Sequence, residues 1–102
     1  MKIIVNNLTA PKTSNPFFPP EDQKEFAIFA MGLQLEEKVI VQFSIDGNTW
    51  EDLYQFGVQV GLTATNNALG AYCPTFLRVV KPLTANPVTV AISTKVSFNS
   101  VE

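Results

Sequence analysis

The side chains best suited to proton transfer at neutral pH, or to holding a metal, are scarce in this chain. It contains no histidine and a single cysteine, Cys73. Without an imidazole, a serine–histidine or cysteine–histidine nucleophile is ruled out, and the commonest metal ligand is missing. One thiol builds neither an intrachain disulfide nor a thiolate metal site. Cys73, beside Pro74, reads as a small buried residue, because nothing around it is arranged to lower its pKa. Carboxylates remain, as the adjacent pairs Glu21-Asp22, Glu36-Glu37 and Glu51-Asp52. Neighbours on a strand point to opposite faces, so these read as solvated turns or strand ends, not as an acid–base dyad. Asp46, Asn48 and Asp52 offer oxygen donors for calcium, but their spacing is not that of an EF-hand loop. Gly57, Gly61 and Gly70 are isolated, and no phosphate-cradling loop occurs. The expectation is a protein that is not an enzyme and uses no cofactor or metal.

Recognition chemistry is better represented. Trp50 has two readings: a core residue beside a hairpin, or a platform for sugar or protein, which Tyr54, Phe56 and Tyr72 could join. Arg78, inside an apolar strand, either lays its stem along the sheet while its guanidinium reaches water or a rim carboxylate, or forms an ion pair at a subunit boundary. Phe17 and Phe18 lie in a proline-rich stretch. Either at least one folds back over the core edge, or one or both anchor a neighbouring subunit.

Hydrophobic residues make up 46% of the chain and charged ones only 16%, so Asn, Thr, Ser and Gln must keep the exterior wet. A surface with so little charge is weakly protected against association, which favours a protein that works in an assembly. The formal charge is −2, with the lysines and Arg78 scattered singly. Nucleic-acid binding needs a clustered cationic footprint and is not expected. Asn6 and Asn7 interrupt the short apolar run of MKIIVNNL, and no segment has the length of a membrane span. A soluble protein without an export signal, made in a reducing compartment, is the expectation.

The elements that would position these residues are strands. Val39, Val41, Phe43 and Ile45 alternate along Lys38 to Asp46, and Asp46-Gly47 supplies a tight turn before Trp50. Further strands are expected at Ile3 to Leu8, Glu25 to Met31, Thr49 to Tyr54, Phe56 to Leu62, Thr75 to Lys81 and Val88 to Phe98. The segment from Glu21 to Leu35 also carries helical spacing, but a lone helix would need its own packing surface. Pro11, Pro16, Pro19 and Pro20 make residues 9–20 a stiff arm or long loop, and residues 63–71 read as a polar loop. The result is a single all-β domain over residues 1–102, an antiparallel β-sandwich or jelly-roll-like small barrel of six to eight strands. Its core would hold Val39, Val41, Phe43, Ile45, Trp50, Phe76 or its neighbours, Val90 and Ile92.

The run Val41-Gln42-Phe43-Ser44-Ile45-Asp46-Gly47-Asn48-Thr49-Trp50, followed by Phe76-Leu77-Arg78-Val79-Val80, resembles small β-sandwich structural proteins of tailed-phage virions. These are head-decoration, neck or tail accessory proteins. The resemblance covers about half the chain and excludes the proline-rich arm. It implies a structural role in the virion after synthesis in the host cytoplasm, with capsid or tail proteins, or further copies of the chain, as partners. It also implies Ser44, Asp46, Gly47 and Trp50 as a hairpin and core lock, and Arg78 as a tie on the sheet surface. Phe17, Phe18 and Arg78 are the candidate interface residues. The alternative is a carbohydrate-binding module that uses exposed aromatic rings.

Overall fold

The computed structural model describes residues 2–18, 25–72 and 76–93. The expectations placed on Glu21-Asp22, Pro19, Pro20, Cys73, Pro74, Thr75 and the run from 94 to 98 lie outside these. The described residues form eleven strand segments: β1 (Lys2–Leu8), β2 (Lys12–Thr13), β3 (Glu25–Met31), β4 (Val39–Ser44), β5 (Glu51–Asp52), β6 (Tyr54–Gln55), β7 (Val58–Gln59), β8 (Gly61–Leu62), β9 (Ala68–Tyr72), β10 (Phe76–Lys81) and β11 (Val88–Ser93). The fold is all-β and antiparallel. One sheet runs β1-β11-β3-β9; the other runs β2-β10-β4-β5, with β8 also on β4; β6 and β7 form a separate ribbon. The number exceeds the expected six to eight because five of the segments are only two residues long.

Alternating β-branched and aromatic residues build the long strands and decide which face is hidden. Ile28, Val90 and Ile92 of the first sheet share one buried cluster with Val39, Val41, Leu77 and Val79 of the second. Burying each such side chain is worth about 1.5–3 kcal/mol. Three residues expected in this core, Phe43, Ile45 and Trp50, lie outside the buried cluster. Ile45 is 80% exposed, because β4 ends at Ser44 and the chain turns outward there. Trp50 is half-buried on the outer face of the second sheet, not within the core. Phe43 and Phe76 are also half-buried, and it is Leu77, the neighbour of Phe76, that fills the interior.

Two local expectations are corrected, one at residues 63–71 and one at Phe56 to Leu62. Within the proline-rich segment, expected as a stiff arm or long loop, the backbone at Ser14 and Phe17 follows β10 as an irregular edge. Ser14 N–H donates to Val79 O (2.9 Å), and Phe17 exchanges hydrogen bonds with Leu77 (2.7 and 2.8 Å). Prolines are tolerated there because an edge strand needs partners on one side only. Residues 63–71 are not all loop, since Ala68–Tyr72 pairs with β3. The run from Phe56 to Leu62 is not one strand either, because the chain reverses at Phe56-Gly57.

At one end of the core lies a buried cation. Lys81 continues the inward parity of Leu77 and Val79 and is 1% exposed. Its Nζ donates to the carbonyls of Thr9 (2.9 Å), Ala10 (2.8 Å) and Pro82 (2.8 Å). Burial lowers its pKa, and the charge of Glu37 opposes that shift. Glu37 accepts the N–H groups of Gln34 and Ala85, both at 2.8 Å, and so ties the 32–38 connection to the 82–87 turn. Gly32 (φ 103°) packs directly under the Pro87 carbonyl, where no Cβ fits.

Candidate interaction site

The most exposed apolar group belongs to an insertion. Val41 accepts the N–H of Leu53 at 3.0 Å and donates its own to Val60 at 3.2 Å. The chain therefore leaves the edge of the second sheet after Leu53 and rejoins it at Val60. Between them, among the described residues, β6 and β7 pair only with each other, Tyr54 opposite Gln59 and Gln55 opposite Val58. The ribbon turns at Phe56 (φ 52°) and Gly57 (φ 79°), both left-handed as a two-residue hairpin requires. Glycine adopts that backbone freely, whereas a phenylalanine does so against steric strain. Tyr54 is 58% exposed, Phe56 101% and Val58 66%. Phe56 and Val58 overhang a groove of about 320 Å³, shared with Asn66 and Leu69.

The ribbon is rooted by a chain of side chains across the outer face of the sheet. Lys38 Nζ donates to Gln59 Oε1 (3.2 Å), and Gln59 Nε2 donates to Asp52 Oδ2 (2.7 Å). Gln42 Nε2 donates to Asp52 Oδ1 (2.9 Å), and Arg78 Nε donates to Gln42 Oε1 (2.8 Å). The Arg78 guanidinium then lies over the Trp50 ring, 4.3 Å from its centroid. Register explains the alignment: Gln42 faces both Asp52 and Arg78 across the ladder. Trp50 and Arg78, singled out separately in the sequence, thus meet, and the arginine ties the sheet surface.

Ser44, Asp46 and Gly47 form the β4–β5 connection, a wider loop than the tight turn expected, spanning residues 45–50. Asp46 Oδ1 accepts the N–H groups of Asn48 (2.8 Å) and Thr49 (2.9 Å) and the Ser44 hydroxyl (3.0 Å); Gly47 N–H donates to Ser44 Oγ (2.8 Å). These donors hold the Asp46 carboxyl below its ordinary pKa. Asp46 and Asp52 serve separate networks and do not converge on a common cation position. Among the described residues no group of three metal-ligating side chains is gathered.

Phe17 is half-buried and packs on the core, with Lys2 Nζ above its ring at 5.7 Å. Phe18 is 50% exposed and lies against Phe76 with centroids 5.0 Å apart. Phe17 thus folds back over the core edge, while Phe18 keeps half of its surface exposed. The inserted ribbon and Lys81 are not evident from residue spacing; the one local mark of the ribbon is the Phe56-Gly57 pair between Tyr54 and Val58. Among the described residues no helix is long and apolar enough to cross a membrane. No protein-family model, curated protein or solved structure matches the chain.

Proposed function

We propose that this protein is a non-enzymatic assembly component with a β-sandwich body, and that the inserted ribbon is its contact with a partner. The observation that carries the reading is Phe56: fully exposed, on a left-handed backbone, at the tip of a ribbon that adds nothing to either sheet. A residue that is strained and solvated in the free chain gains by entering an apolar pocket of a partner. The likeness of the Ser44–Trp50 hairpin and the Arg78 strand to tailed-phage structural proteins directs the role to decoration or reinforcement of a capsid or tail. The ribbon replaces the Phe17–Phe18 arm as the contact, because that arm is committed to its own sheet edge. The guanidinium of Arg78 covers one face of Trp50, which favours the assembly reading over a glycan platform.

Co-sedimentation with head and tail particles of its own virion tests the proposal. The wild-type chain should pellet with one of them, and the Phe56→Ser, Val58→Ser variant should lose at least tenfold in affinity while keeping its thermal transition. Equal binding by the variant, or no binding by the wild type, overturns it.

A further inference from the structure

Four edges bound the two sheets, and three are blunted against pairing. β1 carries Lys2 and two register shifts against β11. β2 is two residues long, carries Lys12 and lies between Pro11 and Pro16. The edge beside β4 is split by the ribbon into two segments of two residues each, acidic β5 (Glu51 and Asp52) and β8, both too short to recruit a strand. Charges, bulges, prolines and short length are the devices that stop a strand from recruiting another. β9 has none of them. Its sequence is ALGAY, its register on β3 is unshifted over five pairs, and among the described residues β3 is its only strand partner.

The register also shows which backbone groups of β9 are open. Ala30 N–H donates to Asn67 O, so this pair is hydrogen-bonded, and pairs alternate along an antiparallel ladder. Ile28–Leu69 and Phe26–Ala71 are then hydrogen-bonded pairs, whereas Phe29–Ala68, Ala27–Gly70 and Glu25–Tyr72 are not. The N–H and C=O groups of Ala68, Gly70 and Tyr72 therefore point away from β3, along the free edge. Ala68 and Gly70 are exposed.

Gly70 adds a separate observation. A glycine inside a strand costs about 0.5–1 kcal/mol, yet this one has no left-handed φ, and a Cβ there would meet only Phe26 O at 3.6 Å, an ordinary contact. Nothing within the described chain requires it. Strand glycines of this kind mark the close approach of another backbone.

We propose that β9 is the edge at which a second copy of this chain pairs, antiparallel, with Gly70 facing Gly70 of the copy across a twofold axis. The proposal rests on the assembly reading above and specifies one of its contacts. A twofold contact must be self-complementary. Centred on Gly70, it sets Ala68 against Tyr72 of the copy, so all three outward-facing residues fall into hydrogen-bonded pairs, about six new bonds in all. The edge carries no formal charge, so two copies meet without repulsion. Self-pairing at β5 would instead bring Glu51 and Asp52 against their own kind.

Sedimentation equilibrium and amide exchange at several concentrations test this. The wild-type chain should dimerise at tens of micromolar, with the Ala68, Gly70 and Tyr72 amides protected only in the dimer. Gly70→Lys, which places two ammonium groups at the twofold, should weaken association at least tenfold. A dimer in which those three amides exchange freely overturns the proposal, and the exchange readout stands even if the variant fails to fold. So does a wild-type chain that stays monomeric at 100 micromolar (on the order of a typical weak-dimer constant). A dimer abolished by Phe56→Ser, Val58→Ser but intact in Gly70→Lys also overturns it, while leaving the assembly reading standing. Loss of particle binding with an intact β9 dimer does the reverse.

Discussion

Phe56 is placed where a free protein gains nothing from it. Replacing it by glycine removes the left-handed strain and the exposed ring together, so the isolated chain should become more stable by about 0.5–1 kcal/mol in urea denaturation. Partner binding should fall in the same variant, and that opposition separates a contact residue from a structural one. Asp46 behaves differently. Its folded pKa lies below its ordinary value of 3.8, held down by the Thr49 and Asn48 N–H groups and the Ser44 hydroxyl. Below that value the unfolded chain binds the proton more readily, so stability rises with pH through this window. The contribution is complete above about 4 and is lost as the folded carboxyl protonates. Asp46→Asn keeps an acceptor oxygen but cannot titrate, and its acid unfolding limb should be shallower than that of the wild type.

At the scale of elements, the ribbon is only as well placed as its root. Asp52 receives Gln42 on one oxygen and Gln59 on the other, and so links the sheet face to β7. Asp52→Ala should cost about 1–2 kcal/mol through the two lost charge-assisted hydrogen bonds. Faster amide exchange at residues 54–59 should accompany it, with the core strands unchanged. The strands legible in the sequence were β1, read from its short apolar run, and those with a sustained period of two: β3, β4, β10 and β11. β9 escaped because Ala-Leu-Gly-Ala has low strand propensity and is held by pairing with β3, which is non-local. The ribbon escaped because Val58 and Val60 continue the alternation of Phe56 across a chain reversal that parity alone does not register. The prolines of residues 9–20 masked an edge that needs few donors. Of the candidate site, Trp50 and Arg78 were visible as unusual residues. Their stacking was not, because it depends on register between β10, β4 and the β4–β5 loop. Lys81 was hidden for a related reason: its carbonyl acceptors at Thr9 and Ala10 lie 72 and 71 residues away.

On the scale of the whole molecule, stability is shared between two sheets whose pairings span the chain. β1 joins β11, β2 joins β10, and Lys81 locks the crossing between β1 and β2. Strand pairing across such separations pays its loop-closure entropy before any contact repays it, so refolding should take milliseconds to seconds. Stopped-flow tryptophan fluorescence would follow it, since Trp50 reports on the meeting of the β4–β5 loop with β10. A microsecond transition would contradict this account.

The joining of β1 to β11, whose residues Asn7 and Thr89 touch across 82 positions, has a further consequence during synthesis. The opening strand leaves the ribosome long before its mate exists. Until residues 88–93 emerge its apolar side chains have no sheet to enter, and the uncharged strand at residues 68–72 emerges into the same waiting period. In a cell making many copies at once, that strand is offered to its counterparts on neighbouring ribosomes, so the edge that suits an assembly is also a place where premature association can begin.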